Sequence, residues 1–328
     1  MVIGKWKIEN YNRWWNIPRW REVEGWIVTI LVLVFLSPLN VYAGVNKKAG
    51  TTIGQVLEFG VGARACAMGE AFTGIADDFS AVYWNPAGIA QIQDLEFNFM
   101  HNDWFQGIKY EFVSTILPLE EEMGAIGLSG IILKTDDIVG RDTSGDFTSN
   151  FEAKDSILCL SFGQKLTEEL MWGANIKQVN LKIENDKTNE FAFDFGGLYK
   201  FQDTELTLGA VVQNIGKNMK FIEKNEKLPL IFRLGASYKL IEKNVLLSLD
   251  IGKSVASNIK FNLGAEYYLT TLLKLRGGYN STNDTDNGWT AGVGFKIKDI
   301  FELDYAYIPY GELGDTQRIS ITTKFKTE

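Results

Sequence analysis

Apolar and polar residues alternate with a period of two along most of this chain, a pattern that predicts strands with two unlike faces. It is clearest in residues 259–267, where apolar side chains are separated by lysine, asparagine, glycine and glutamate. Residues 191–201 and 301–307 show the same alternation. The longer of these segments match the roughly 9–11 residues that a tilted strand needs to cross a bilayer.

About fourteen segments of this kind follow one another, an even number that is typical of bacterial single-chain barrels. They are residues 94–100, 106–117, 123–133, 155–163, 170–182, 190–201, 205–213, 229–240, 244–252, 258–268, 272–280, 287–297, 299–308 and 317–326. The sequence therefore predicts an all-β fold, a transmembrane antiparallel β-barrel over residues 94–328.

The connections between these segments alternate in length. Short ones, such as 118–122 and 269–271, are followed by longer polar ones, such as 134–154, 183–189 and 214–228. Membrane barrels have short turns at one end and long loops at the other, a rhythm that a soluble β-sandwich has no reason to keep.

A membrane barrel inverts the usual faces, so the apolar side chains contact lipid and the polar ones line the lumen. We therefore predict lipids of a bacterial outer membrane as partners of the outer face. The predicted lumen-lining charges are Arg233, Asp250, Arg276, Glu302 and Asp304.

Residues 1–43 are predicted to be a signal peptide. Basic residues precede an apolar run at 26–36, which is shorter than the roughly 20 residues of a spanning helix. Val41-Tyr42-Ala43 then predicts cleavage after Ala43. A later start of translation and an uncleaved inner-membrane anchor are the alternatives.

Residues 44–93 differ in kind, because small residues dominate from 54 onward and no period of two is sustained. This segment is too short for a core of its own, so we predict a helical hatch inside the lumen. The predicted hatch charges, which would pair with the lumen charges, are Arg64, Asp77 and Asp78. The predicted hatch motif is Asn85, Pro86, Ala87 and Gly88, a turn signature.

Residues 59–69, 76–78 and 83–88, together with 311–320 near the C-terminus, resemble the PorV/PorQ family of outer-membrane proteins. Glu70 departs from that pattern, where a small residue is expected, and so does Gln317, where histidine is frequent. The resemblance implies a FadL-like barrel with an N-terminal hatch. It also implies either passage of hydrophobic compounds or a role in protein export and surface attachment, as in type IX secretion.

No catalytic, metal or cofactor site is predicted. His101 is the only histidine, and its position suggests a loop at the end of the first strand. The net charge of −8, without a Lys/Arg-dense stripe, argues against nucleic acid as a partner. Whether Cys66 and Cys159 pair is left open, because sequence cannot place them within bonding distance.

Overall fold

This computed structural model describes residues 51–120, 123–240, 244–281 and 288–326, without the side chains of 136, 137 and 312. The predicted signal peptide, 1–43, and the beginning of the predicted hatch, 44–50, lie outside the described residues. No helix in the described ranges is both long and apolar enough to cross a membrane.

Fourteen antiparallel strands of the described chain close into a barrel, which confirms the predicted fold class. They are β1 Leu95–Asp103, β2 Ile108–Pro118, β3 Ala125–Arg141, β4 Phe147–Lys165, β5 Leu170–Ile183, β6 Asp186–Lys200, β7 Leu206–Gly216, β10 Ile231–Leu240, β11 Val245–Ser254, β12 Ile259–Tyr268, β13 Leu273–Asn280, β14 Trp289–Ile297, β15 Phe301–Pro309 and β16 Asp315–Phe325. Strands β8 Met219–Phe221 and β9 Lys224–Glu226 form a separate hairpin between β7 and β10.

The first and last strands pair with each other and close the sheet. Their register runs from Leu95 opposite Phe325 to Asp103 opposite Gln317. Closure satisfies the backbone groups that a free strand edge would leave unpaired in hydrocarbon.

Side chains on each strand alternate between the outer surface and the lumen. On β1, the outward rings of Phe97 and Phe99 are 50% and 46% exposed, whereas the inward Asn98 and Asn102 are buried. An apolar outer face and a polar inner face are the arrangement that a bilayer requires.

Two of the predicted long loops are wrong. Residues 134–154 are mostly strand, because β3 continues to Arg141 and β4 begins at Phe147. Residues 183–189 are also mostly strand, since only Glu184 and Asn185 separate β5 from β6.

The sequence of these extensions is polar and lacks the alternation from which the other strands were predicted. Outside the bilayer a strand needs no apolar face, and cross-strand charge pairs support it instead. Glu152 lies between Lys182 and Lys134, with Nζ–O distances of 3.0 and 3.7 Å. Register shifts near Thr135 and Val139 absorb the irregularities in the β3–β4 ladder.

The hatch segment folds into short helices within the barrel. They are a 3₁₀ helix at Gln55–Glu58, α1 at Ala63–Ala67, α2 at Ala81–Trp84 and a 3₁₀ helix at Pro86–Gln91. Short 3₁₀ helices also lie at Phe105–Gly107, between β1 and β2, and at Gly311–Leu313, between β15 and β16.

Hydrogen bonds hold the hatch to separate parts of the wall. The amide of Gly69 donates to Thr290 Oγ1 on β14 at 3.1 Å. The hydroxyl of Ser237 on β10 donates to the carbonyl of Gly74 at 2.9 Å. Hatch side chains such as Phe72 and Trp84 are fully buried, and the main apolar cluster includes both hatch and inward strand residues.

Candidate functional site

Arg64 on α1 is the centre of a buried charge network. Its Nε and Nη2 donate to the two carboxylate oxygens of Glu266 on β12, each at 2.8 Å. Its Nη1 donates to Asp77 Oδ1 at 2.6 Å and to Asp78 Oδ2 at 3.1 Å. Burial by itself would lower the pKa of Arg64, but the carboxylates of Asp77, Glu266 and Asp78 raise it well above its usual value.

The network continues along the wall through Arg276 on β13. Its Nε donates to Glu266 Oε2 and its Nη1 to Asp304 Oδ1, both at 2.6 Å. Glu302 pairs with Lys274 instead and lies 3.9 Å from Arg276. Glu266 is thus shared by a hatch arginine and a wall arginine.

Arg233 and Asp250 contact the hatch in other ways than the predicted ion pairs. The guanidinium of Arg233 lies 4.9 Å from the ring centroid of Trp84, and its Nε donates to Gln213. Asp250 Oδ2 accepts from the amides of Phe72 and Thr73, at 3.1 and 2.8 Å. Arg233 and Asp250 thus contact an aromatic face and backbone amides of the hatch, and Arg276 and Asp304 pair within the wall. The hatch charge Arg64 meets the wall through Glu266 instead.

Asn85 joins the hatch motif to the wall. Its Nδ2 donates to the carbonyls of Thr73 and Gly197, both at 3.0 Å, and its Oδ1 accepts from the amide of Ala87. It therefore caps the 3₁₀ helix that begins at Pro86, a favourable first position for proline. The side chain is completely buried.

Glycines on strands of the wall allow the hatch motif to lie in close contact with the wall backbone. A Cβ on Gly173 would lie 2.3 Å from the carbonyl carbon of Pro86, and one on Gly196 would lie 2.1 Å from Asn85 Oδ1. Side chains at these two positions would displace the motif.

A cavity of about 640 Å³ lies between the hatch and the wall, beside the connections 104–107 and 310–314. Its walls include the aromatic side chains of Phe59, Trp104, Phe105 and Tyr310 and the aliphatic ones of Ile308 and Leu313. Arg318, Glu70, Lys260 and Glu58 bring charges to the same space. The size falls within the range of small-molecule pockets, roughly 300–1,000 Å³.

The sequence predicted none of these cavity residues as a site. The available signal was Trp104-Phe105 directly after a strand, since aromatic residues in a loop are candidates for binding. Their convergence with Arg318, at the other end of the barrel sequence, depends on the pairing of β1 with β16.

His101, Cys66 and Cys159 are reactive residue types at which the sequence predicts no site. His101 is in β1, so its predicted loop position is wrong; its Nδ1 lies 2.7 Å from Glu111 Oε1. Cys66 and Cys159 are both buried and free. Burial raises the pKa of the Cys66 thiol to about 12, and Arg318 Nη1 donates to its sulfur at 2.9 Å.

These features define a class: a fourteen-strand transmembrane β-barrel whose lumen holds an N-terminal helical segment. Solved structures share this architecture. The toluene transporter TodX of Pseudomonas putida aligns with a TM-score of 0.57 at 13% identity, over 81% of this chain and 96% of that one. The toluene transporter TbuX of Ralstonia pickettii gives 0.57 at 14% identity, over 81% and 98%.

A FadL homologue of Pseudomonas aeruginosa gives a TM-score of 0.54 at 13% identity, over 85% of this chain and all of that one. At such identities the likeness concerns the fold, which is FadL-like. The model of an uncharacterised protein family, UPF0164, matches residues 40–129, which contain the hatch and the first two strands. No curated protein matches the chain.

Proposed function

We propose that this protein is a bacterial outer-membrane barrel that binds small hydrophobic molecules and lets them pass across the membrane. The observation that carries this proposal is the cavity of about 640 Å³ with aromatic and aliphatic walls. A hydrophobic ligand in such a pocket loses contact between its apolar surface and water. This contributes roughly 25 cal/mol of binding free energy for each Å² buried.

The similar solved structures support a hydrophobic ligand, since two of them are described as toluene transporters. In this chain, small aromatic hydrocarbons would enter from the end where β1 joins β2 and β15 joins β16. The hatch lies beside the cavity, so passage requires some of its contacts with the wall to change.

We assign the control of that step to the hatch motif Asn85-Pro86-Ala87-Gly88 and to the charge network of Arg64, Asp77 and Asp78. Glu266 joins Arg64 to Arg276, which also pairs with Asp304, while Glu302 pairs with Lys274. Arg233 and Asp250 contact Trp84 and the backbone at Phe72 and Thr73.

The proposal is tested by filling the cavity. Ile308→Trp places a larger side chain in the wall, and we expect at least a tenfold loss of toluene binding by the purified protein in nanodiscs. Ile300→Trp, in the turn between β14 and β15 at the opposite end, is the matched control and should bind normally. Heat-modifiable migration on gels verifies that both variants form barrels, and unchanged toluene binding by Ile308→Trp would refute the proposal.

A second candidate is an export component of the PorV/PorQ type that binds exported proteins. Its support is the resemblance of residues 59–69 and 83–88, together with apolar side chains at the tips of the extended strands. Val139 and Phe147 are 52% and 62% exposed there. Pull-down from outer membranes should then recover exported proteins with the parent chain and fewer with Phe147→Ser, whereas toluene binding stays unchanged.

A further inference from the structure

The cavity contains two opposite charges that do not pair with each other. Arg318 is 2% exposed, and no carboxylate of the described residues forms an ion pair with it. Its Nη1 donates to the carbonyl of Gly60 and to Cys66 Sγ, but its buried Nε has no hydrogen-bond partner in the described chain. A buried guanidinium with an unused donor is unfavourable unless something accepts from it.

Trp104 adds a second unused donor to the same wall. Its Nε1 is buried without a partner among the described residues. The guanidinium of Arg318 lies 6.0 Å from the Trp104 ring, and both residues line the cavity. Two donors beside one apolar space suit an oxygen-bearing group on a bound molecule.

Glu70 brings the opposite charge to this space. Its Oε2 accepts from Asn280 Nδ2 at 3.1 Å, and its Oε1 approaches Gly60, where a Cβ would lie 2.7 Å away. Gly60 therefore borders both Glu70 and Arg318. The backbone of Glu70 has φ 66°, a left-handed conformation that disfavours a residue with a side chain, and such strain is concentrated at functional sites.

The charges that line the cavity balance. Glu58 and Glu70 are acidic, and Lys260 and Arg318 are basic. A ligand with a net charge would upset this balance, whereas one whose head carries both signs would satisfy Arg318 and Glu70 together. A plain hydrocarbon would leave the donors of Arg318 and Trp104 unused.

We propose that the cavity binds an amphiphile with an apolar body and a zwitterionic head. The anionic oxygens of the head accept from Arg318 Nε and Trp104 Nε1, its cationic nitrogen donates to Glu70, and the body packs on the aromatic wall. This inference rests on the proposed function, because it names the class of molecule that the same cavity takes.

The test compares four probes with eight-carbon bodies: 2-aminooctanoate, octanoate, octylamine and octanol. Calorimetric titration of the full chain in nanodiscs, corrected with empty nanodiscs, should show 2-aminooctanoate binding about tenfold or more tightly than the others. Glu70→Gln should remove most of this preference, because its amide keeps the shape and loses the charge. Glu168→Gln, in an exposed turn at the opposite end of the barrel, should not change it.

The outcomes separate this inference from the proposed function. Equal binding of all four probes, or a preference that survives Glu70→Gln, overturns the zwitterion assignment and leaves a hydrophobic site. Binding of none of them overturns the zwitterion assignment, and the toluene titration of the parent protein and of Ile308→Trp decides the proposed function separately.

Discussion

Arg64 illustrates how single residues decide whether the hatch can be buried. A guanidinium loses much hydration inside the lumen, and only close carboxylates can offset that loss. Glu266 supplies both oxygens to Arg64 and also accepts from Arg276. Removal of this one carboxylate therefore leaves two buried arginines undercompensated.

We predict that Glu266→Gln lowers the free energy of unfolding of the barrel by about 3–5 kcal/mol, as expected when a buried ion pair loses one partner. Urea titration in lipid vesicles measures this. Glu152→Gln, in an exposed pair with Lys182 and Lys134, should lower it by only about 0–1 kcal/mol. Equal losses for the two variants would show that the hatch network does not stabilise the barrel.

Asn85→Ala tests the hatch motif at the same scale. The substitution removes a cap and the hydrogen bonds from Asn85 to the carbonyls of Thr73 and Gly197, at about 0.5–1.5 kcal/mol for each bond. We expect the barrel to assemble while amides of residues 81–92 exchange hydrogen faster. Asn150→Ala, on an exposed strand extension, is the control. Normal exchange together with normal toluene passage would mean that the motif has no part in holding or moving the hatch.

Among the elements, the 3₁₀ helix at Pro86–Gln91 depends on bare backbone in the strands beside it. Gly173 on β5 and Gly196 on β6 face the motif, and a Cβ at either position would overlap it. The fit between hatch and wall is thus set by missing side chains as much as by hydrogen bonds.

We expect Gly173→Ala to destabilise the protein by about 1–3 kcal/mol through overpacking. Gly277→Ala is the matched control, since a Cβ there meets no atom within 4 Å. Limited proteolysis of the hatch and urea titration report the effect. If the two variants were equally stable, the hatch would not be seated against β5 as described.

Across the whole molecule, apolar side chains face outward and polar ones face the lumen, the inverse of a water-soluble protein. Leu234 on β10 is 64% exposed on the outer surface, and its neighbours in sequence, Arg233 and Gly235, point to the lumen. An exposed leucine at mid-strand would be unfavourable in water and is favourable against lipid.

Leu234→Arg should therefore reduce the stability of the barrel in vesicles by roughly 2–4 kcal/mol, as for a charge near the bilayer midplane. Leu272→Arg provides the control, because Leu272 is 58% exposed in the turn between β12 and β13. Folding yield and urea midpoint in vesicles measure both variants. A loss no larger than that of the control would place the β10 surface outside the hydrocarbon.

Local patterns in the sequence were sufficient to predict the barrel. The alternation at 259–267 and the turn signals on either side of it depend only on neighbouring residues, so strand number and orientation could be read directly. The strand extensions within 134–154 could not be predicted, because their polar sequence lacks the apolar–polar alternation of the other strands. The helical character of the hatch and the turn at Asn85 could be predicted, the first from small residues and the second from proline.

Partners across the lumen were decided by the tertiary structure alone. Sequence identified Arg64 and the wall charges, but barrel closure and strand register placed Glu266 beside Arg64 and left Arg233 against Trp84. The cavity depends on the same closure, which brings Trp104 at the end of the first strand near Arg318 on the last. Alternation determines which way a side chain points, whereas the residue that it meets depends on contacts far apart in the chain.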